Sequence, residues 1–557
     1  MVKGIWDFIH RESNGLHQAA YLLGFFALLS QILGLLRDRL LAHNFGAGLE
    51  LDLYYAAFRI PDFLFVSVAS LVSVSILIPV LVEKLEKKEE SRKFLDSVFT
   101  FFFLAIILIC SAVFFLAPKI LGKIFPGFAG DELHDLLLLT RILLLSPIFL
   151  GFSNLLASIV QVHRRFLLYA LSPIVYNLGI ILGIFVFVPS WGVVGVAFGV
   201  IIGAFGHLAI QIPFVIKIGL LPKPTYFWLW PDLKRVIILS APRTFALSVN
   251  HLALLFLFSF ASLLAFGSIA IFNLSLNLQS VPLSIIGVSY SLAAFPTLAR
   301  FFANGERLKF VDQITTAAKH IIFWSMPIAV LFIVLRAQIV RTLFGTGEFS
   351  WSDTRLTAAA LAIFSVSVVS QGLNLLFTRG YYAAGMTKKP LILNSISAVT
   401  IVVSSFGLIK LFQNVEIFRF FIESLFRVGG LEGVVVLMLP LGFSLGMLLN
   451  SLMFWILFKS DFGQSTNKIS RVFFQSFSAS IIAGFAAYLG LQFLAPILDQ
   501  NTLLGIFSQG FFAGLLGIIC GILILLVLNN KEIKEIWANF HKRFWGTKVI
   551  RSDSEIT

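Results

Sequence analysis

Six arginines lie inside or at the ends of long apolar segments, where a charged side chain is costly. A charge near the centre of a bilayer costs about 2.5–3.5 kcal/mol on insertion scales, so each must lie near an interface, pair with an acid or face water. Guanidinium groups hold phosphate oxygens in a bidentate geometry. Several arginines around one cavity would therefore suit a phosphorylated, anionic head group. They are Arg37, Arg39, Arg59, Arg141, Arg243 and Arg379.

The surrounding sequence predicts different roles for these arginines. Arg39 and Arg379 lie near segment ends, where a long side chain can extend to the membrane surface. Arg37 precedes an acid directly, so a local ion pair would account for it. Arg59 and Arg243 lie deeper, each within two residues of a proline, and a cavity role is favoured for these two. The acids in comparable places are Asp38, Asp52 and Asp62.

The composition shows what kind of element must position these residues. The chain has 557 residues, of which 58% are hydrophobic and 13% are charged, and its mean hydropathy is +0.94. Soluble proteins are about 45–50% apolar, so lipid must be part of the solvent here. A net charge of +14 would suggest nucleic acid for a soluble protein. Because the basic residues lie in short loops between apolar segments, no nucleic-acid partner is predicted.

About fourteen apolar segments are long enough to cross a bilayer of about 30 Å, which predicts an all-α polytopic membrane protein. With both termini cytoplasmic, the inner loops hold about 28 Lys and Arg and the outer loops about 8. The sequence therefore predicts both termini on the cytoplasmic side. The segments are 18–43, 53–82, 95–117, 134–160, 166–188, 192–216, 235–263, 266–298, 317–340, 356–384, 390–412, 431–458, 470–494 and 504–528.

Matched landmarks recur about 217 residues apart, which indicates a structural unit used twice. Pro79 corresponds to Pro296, and Pro173 with Asn177 corresponds to Pro390 with Asn394. Because each half has six segments, the halves are predicted to be parallel repeats about an axis normal to the membrane. The predicted organisation is an N-terminal lobe at 1–217, a C-terminal lobe at 218–460, segments 13 and 14 within 461–530 and a cytoplasmic tail at 531–557.

Catalytic and metal-binding motifs are weak. The G-x-S-x-G match at 442–446 lies inside an apolar segment and not in the strand-turn-helix context that such a nucleophile needs. Cys110 and Cys520 lie in separate apolar segments and form no spaced metal-binding pair. The sequence has no P-loop, so no ATP, no metal and no other cofactor is predicted, and an ion gradient or the membrane potential must drive any uphill transport. The loop 413–430 alternates apolar and charged residues and predicts an interfacial helix.

Two sequence elements resemble the MurJ/MviN family, the lipid II flippases of peptidoglycan synthesis in the multidrug/oligosaccharidyl-lipid/polysaccharide exporter superfamily. The first is Ser30-Gln31-Ile32-Leu33-Gly34-Leu35-Leu36-Arg37-Asp38, then Phe45-Gly46-Ala47-Gly48, Asp52 and Ala57-Phe58-Arg59-Ile60-Pro61. The second is Arg379-Gly380-Tyr381-Tyr382-Ala383 with Thr387-Lys388-Lys389-Pro390. The likeness extends over the whole chain.

The resemblance implies a cavity between the two halves, alternating access and a groove for a polyprenyl tail built by segments 13 and 14. It also implies roles for single residues. Arg37, Asp52 and Arg59 match positions of the family pattern. The predicted substrate-binding residues in the cavity are Gln31, Arg37, Asp52, Arg59, Arg243 and Asn277. The predicted gating or structural residues are Asp38, Pro61, Pro79, Arg379 and Pro390.

Three positions depart from the family pattern. Gln31, Phe65 and Asn277 stand where the family has cations, and Arg141 and Arg243 are the candidates to replace them. The departures leave the identity of the head group open.

The leading hypothesis is a flippase for a polyprenyl-pyrophosphate-linked saccharide, with lipid II first, in the bacterial cytoplasmic membrane. A membrane lipid environment and the lipid-linked saccharide are the predicted partners. The first alternative is an exporter of another lipid-linked glycan or of a drug in the same superfamily. The second is a polytopic lipid-linked glycosyltransferase, which would need an acidic site such as Asp52 with Glu50.

Overall fold

The computed structural model describes residues 16–69, 77, 81, 88–226, 228–463 and 469–534. Within these ranges the regular elements are helices, and no strand occurs. The α-helices are α1 Leu16–Phe45, α2 Leu49–Leu64, α3 Lys88–Ile124, α4 Asp131–Leu143, α5 Leu145–Val162, α6 Phe166–Val186, α7 Val188–Trp191, α8 Val193–Ala209, α9 Ile212–Lys217, α10 Trp230–Ser262, α11 Ser268–Pro282, α12 Ser289–Ala303, α13 Arg307–Val334, α14 Arg336–Phe344, α15 Trp351–Val366, α16 Val368–Ala383, α17 Lys388–Asn414, α18 Glu416–Phe426, α19 Met438–Phe462, α20 Ile469–Leu494 and α21 Leu503–Val527.

These helices make the chain an all-α polytopic membrane protein. Among the described residues, 10 helices are long and apolar enough to cross a membrane, or up to 11 if a bent pair counts as one span. Each of the predicted apolar segments falls at least partly on a helix. The count of fourteen spans stays a prediction.

One predicted span is built from two helices that meet at a bend. The segment predicted at 356–384 is α15 followed by α16, bent by 44°. Ser367 lies at the break and is buried, and its hydroxyl donates to the carbonyl oxygen of Phe364 over 2.8 Å. Ser444 of α19 donates to the Ser367 hydroxyl over 3.2 Å. The bend therefore follows from a serine that satisfies local backbone groups, which hydropathy does not report.

A proline followed by a π-helical turn occurs twice. Pro61 lies inside α2, and the π turn Phe65–Ala69 follows it. Pro282 ends α11, and the π turn Leu283–Val288 follows directly. Proline removes one intrahelical N–H and disturbs the regular ladder, and π turns recur at functional sites in helices. The separation of Pro61 and Pro282 along the sequence is close to the separation of the matched landmarks.

The remaining predicted structural prolines differ in position. Pro390 is the third residue of α17 and is buried, and in the first turn its missing N–H has no helical partner to lose. Pro79 lies outside the described residues.

The chain divides into two compact units. The first comprises residues 1–281, 340–367 and 385–454, and the second comprises 282–339, 368–384 and 455–557. The division into lobes that end at residues 217 and 460 stays a prediction.

Close helix packing in the first unit depends on glycine. A Cβ atom on Gly183 of α6 would collide with the backbone of Gly199 of α8, and one on Gly179 would collide with Gly203. Small residues let two membrane helices approach through their backbones. The glycines at 195, 199 and 203 therefore form a packing surface.

The second unit places α20 and α21 side by side against α13. Leu331 and Leu335 form a buried cluster there with Ala487 and Ala513. A Cβ on Gly517 would lie 2.6 Å from the carbonyl oxygen of Ala483, so α20 and α21 also approach through small residues. Their bounds, Ile469–Leu494 and Leu503–Val527, agree with the predicted segments 470–494 and 504–528 to one residue.

Candidate functional site

Arg37 of α1 is held by two partners within the first unit. Its Nε and Nη2 atoms donate to Oδ1 of Asp38 over 3.0 and 2.7 Å, and Nη1 donates to Oδ1 of Asn177 over 3.2 Å. The Arg37 side chain is 22% exposed, whereas that of Asp38 is 2% exposed. The local ion pair expected from the sequence is therefore present. Because arginine has five N–H donors, the guanidinium keeps donors for a further acceptor.

Asn177 joins α6 to α1. Its Nδ2 atom donates to the Ser30 hydroxyl over 3.3 Å and to the carbonyl oxygen of Pro173 over 3.1 Å. The residue is buried. The landmark Pro173 with Asn177 thus serves a structural purpose: it fixes the amide that orients Arg37.

Arg59 of α2 is bound on two sides and stacked on a third. Its Nη2 atom donates to Oδ1 of Asn273 over 3.1 Å, and its Nε atom donates to the carbonyl oxygen of Tyr55 over 3.1 Å. The guanidinium carbon lies 4.0 Å from the centroid of the Phe258 ring of α10. A cation over an aromatic face is attracted by the ring quadrupole. Arg59 is thus oriented without a carboxylate hydrogen bond.

Asn277 of α11 completes the binding of Asp38. Its Nδ2 atom donates to Oδ2 of Asp38 over 2.9 Å. Asn273 and Asn277 are four residues apart, so they lie on one face of α11, one turn from each other. This face therefore contacts Arg59 on α2 and Asp38 on α1.

Asp52 of α2 caps the start of α11. Its Oδ2 accepts from the backbone N–H of Gly267 and its Oδ1 from that of Ala270, each over 2.7 Å. The carboxylate is buried at 2% exposure. The first N–H groups of a helix have no intrahelical acceptor and carry partial positive charge, which a carboxylate satisfies. Direct contact of Asp52 with a substrate stays a prediction.

The turn between α1 and α2 contacts two other segments of the first unit, one at residue 267 and one at residues 342–353. The backbone N–H of Glu348 donates to the carbonyl oxygen of His43 over 3.0 Å, and that of Ala47 donates to Asp353 over 3.4 Å. Arg39 Nη1 donates to the carbonyl oxygen of Thr342 over 2.5 Å. We call these contacts of residues 39–47 with residues 267 and 342–353 the α1–α2 clasp.

Two glycines make the clasp possible. Gly347 has φ +63°, and a Cβ there would collide with the carbonyl oxygen of His43. Gly267 has φ +89°, and a Cβ there would collide with that of Ala47. Both positions need a positive φ and a close backbone approach, which glycine alone supplies at low cost. Arg39, expected to extend to an interface, instead binds backbone carbonyls at the end of α14.

The other predicted residues are placed as follows. Gln31 is half-buried on α1, seven residues before Asp38 and so on the same helix face. Arg141 of α4 lies against α3, where its guanidinium is 4.7 Å from the Phe114 ring centroid. Arg243 lies on α10, and its side chain is outside the described part of the chain.

Arg379 has a structural contact in the second unit. Its Nη1 atom donates to the carbonyl oxygen of Val288 over 3.2 Å. Val288 ends the π turn after Pro282, so Arg379 binds a carbonyl at the place where the regular helical ladder is disturbed. The predicted gating or structural role of Arg379 stays a prediction.

Asn273 was missed by the sequence analysis. It binds Arg59 as directly as Asn277 binds Asp38. A signal was available, since two amides four residues apart in an apolar helix share one face. In the described ranges, no group of three or more His, Cys, Asp or Glu side chains could hold a metal ion.

The fold is shared with solved membrane transporters. A structure described as "Lipid II flippase MurJ, inward closed conformation" matches with a TM-score of 0.74 at 23% identity, over 93% of this chain and 100% of that chain. An inward-facing multidrug resistance MATE family transporter of the MOP superfamily matches with a TM-score of 0.63 at 14% identity, over 79% of this chain and 95% of that chain. The chain therefore has the polytopic all-α fold of these proteins.

Sequence comparison identifies the family. The family model described as "Lipid II flippase MurJ" matches residues 41–507. A curated relative, "Probable lipid II flippase MurJ" of Buchnera aphidicola subsp. Acyrthosiphon pisum (strain APS), is 32% identical over 375 residues, which is 65% of this chain and 72% of the relative. The chain belongs to the lipid II flippase MurJ family. It is a multi-pass bacterial inner-membrane transporter and not a glycosyltransferase, so the predicted class is confirmed.

Proposed function

We propose that this protein translocates lipid II, a polyprenyl-pyrophosphate-linked saccharide, across the cytoplasmic membrane by alternating access. Family membership supports the cargo. The observation that carries the proposal is the pair Arg37 and Arg59, which are oriented by neighbours on other helices yet keep guanidinium donors. Such donors match the oxygens of a pyrophosphate.

The arginines bind the pyrophosphate and the amides bind the sugar. Arg37 and Arg59 supply charge-assisted hydrogen bonds, which are stronger than neutral ones. Gln31 and Asn277 add neutral donors and acceptors suited to hydroxyl and amide groups of a saccharide. Arg243, on α10, is the third cation that the sequence predicts for substrate binding. Asp52 contributes by holding α11, the helix that carries Asn273 and Asn277, at the correct position.

The polyprenyl tail lies against α20 and α21. An apolar cleft of about 350 Å³ opens between these helices in the second unit, and its lining is almost free of polar surface. An apolar chain gains about 0.8 kcal/mol for each buried CH₂ group, so such a cleft favours a lipid tail. It is lined by Leu489, Gly490, Phe493, Leu494, Phe512 and Leu516.

The energy source is the membrane potential or an ion gradient. The sequence has no P-loop to bind ATP, and the cargo carries a charged pyrophosphate that responds to the potential. Both termini lie in the cytoplasm, as the loop charges favour. In that orientation the α1–α2 clasp lies on the outer side, so outward opening requires its release.

Complementation tests the proposal. In cells depleted of their own lipid II flippase, the Arg59→Ala variant should not restore growth, because it loses both the charge and the contact with Asn273. Arg59→Lys should restore it only in part, since an ammonium keeps the charge and loses the planar geometry. Arg141→Ala is the matched control and should restore growth fully, because Arg141 contacts α3. Full rescue by Arg59→Ala at normal membrane levels would contradict the assignment.

A different head group is the second candidate, and one observation favours it. Asn277 stands where the family pattern has a cation, and its amide is engaged with Asp38. The site therefore has less positive charge than the family pattern supplies. Transport by vesicles that contain the purified protein should be compared for lipid II and for a polyprenyl-pyrophosphate glycan with another sugar. Transport of the second lipid alone would assign the alternative cargo.

A further inference from the structure

The helix α18 has an exposed apolar face. It begins at Glu416, two residues after α17 ends. Four of its apolar side chains project away from the protein: Ile417 is 84% exposed, Phe420 72%, Phe421 57% and Leu425 54%. With 3.6 residues per turn these four positions share one side of the helix.

The other sides of α18 are accounted for. Ile422 is buried against the protein. The charged residues Glu416, Arg419 and Glu423 form a separate stripe, in which Arg419 Nε lies 3.9 Å from Oε1 of Glu423. The helix therefore has three distinct faces, of which one packs on the protein, one is polar and one is apolar and uncovered.

The apolar face continues the membrane-facing surface of α17. That helix is a candidate membrane span of 27 residues with a mean hydropathy of 1.9. Its outer flank exposes Val399, Val403 and Phe406 along its length and Leu411 near its end. Near that end, the Lys410 ammonium lies 5.9 Å from the Phe406 ring centroid, as expected where a lysine extends to the membrane surface. The exposed face of α18 thus starts where the span leaves the hydrocarbon.

We propose that α18 is a lipid-docking helix that lies in the membrane interface, with Ile417, Phe420, Phe421 and Leu425 inserted among the lipid chains. An amphipathic helix at the end of a span has this position as its natural environment. Its charges are balanced, since Glu416 and Glu423 are matched by Arg419 and Arg427. Insertion of apolar side chains therefore drives docking, and anionic lipid is not required.

The docked helix is connected to the α1–α2 clasp. Arg427 ends α18 in the left-handed conformation, at φ 58°. Its carbonyl oxygen accepts a hydrogen bond from Arg355 of α15. Asp353, two residues earlier, binds the backbone N–H of Ala47 in the clasp. Lipid docking of α18 thus holds the start of α15 at a set depth beside the clasp.

Site-specific fluorescence in lipid nanodiscs tests the docking. Single cysteines are placed at Phe420 or Phe421 and, as the matched control, at Glu416, in a Cys110→Ala and Cys520→Ala background. Each is labelled with a polarity-sensitive fluorophore. We expect lipids with nitroxide on the acyl chain to quench positions 420 and 421 at least about threefold more than position 416. Aqueous iodide should show the opposite order.

The outcomes are distinct and need no transport substrate. Strong iodide quenching at 420 and 421 would mean that the face lies in water, and would overturn the proposal. Protection from both quenchers would mean that a second copy or another segment covers the face, and would overturn it as well. Replacing phosphatidylglycerol by phosphatidylcholine should leave lipid quenching unchanged. A loss of quenching on that exchange would contradict docking by apolar insertion.

Discussion

The side-chain amide of Asn277 donates to Oδ2 of Asp38 over 2.9 Å, while Arg37 binds Oδ1 of the same carboxylate over 2.7 Å. One buried acid thus joins α1 to α11 across 239 positions of sequence. Asn277 supplies a neutral partner where a cation would form a second ion pair. Asp38 therefore forms an ion pair with one arginine, Arg37, and its second oxygen accepts from a neutral amide.

Loss of the Asn277 amide should destabilise the protein. In Asn277→Ala one oxygen of a buried carboxylate loses its donor, and the free energy of unfolding should fall by about 1–2 kcal/mol. Thermal unfolding in detergent measures the effect. Ser280→Ala on the same helix is the control, because its hydroxyl donates to the carbonyl oxygen of Asn277 within α11. Equal stability of the two variants would show that the contact with Asp38 is unimportant.

Asp52→Ala should lower stability through the start of α11. The variant leaves two backbone N–H groups without their acceptor, and loss of such a cap costs about 0.5–2 kcal/mol. Asp52→Asn should recover part of the loss, because an amide oxygen still accepts one bond. Glu50→Ala, on the exposed side of the same first turn, should change little. A stable Asp52→Ala protein that fails to transport would instead favour direct substrate contact.

Gly347→Ala should loosen the α1–α2 clasp. The added Cβ would collide with the backbone of His43, and the residue would also be held at a positive φ. We expect a cysteine at Ala47 to react at least about threefold faster with a membrane-impermeant thiol reagent added outside. Gly305→Ala is the control for backbone strain alone, since Gly305 has φ +73° and open space around its Cβ position. A similar increase in both variants would disprove the specific contact.

Leu516→Trp should weaken binding of the lipid tail. The larger side chain fills the apolar cleft between α20 and α21. Leu515→Trp is the matched control, because Leu515 and Leu516 are equally exposed at 42% and only Leu516 lines the cleft. Native mass spectrometry should detect less co-purified polyprenyl lipid with Leu516→Trp than with Leu515→Trp. Equal amounts would place the tail elsewhere.

The helices were predictable because hydropathy and helix ends are local properties. The bounds of α20 and α21 followed from apolar runs between polar residues. The break at Ser367 was not predictable, since it depends on a serine that meets Ser444 of a distant segment. The pairing of Arg37 with Asp38 was predictable for the opposite reason, because the two are adjacent in sequence.

The sequence by itself determined the membrane class, the family likeness and the presence of costly charges inside apolar helices. These properties depend on the transfer free energy of each segment and on short motifs. Only the tertiary structure decided what satisfies those charges: Asn273 for Arg59, Asn277 for Asp38 and backbone N–H groups for Asp52. Partners more than 200 positions apart meet through helix packing, and a buried polar group takes whichever partner that packing brings within hydrogen-bond distance.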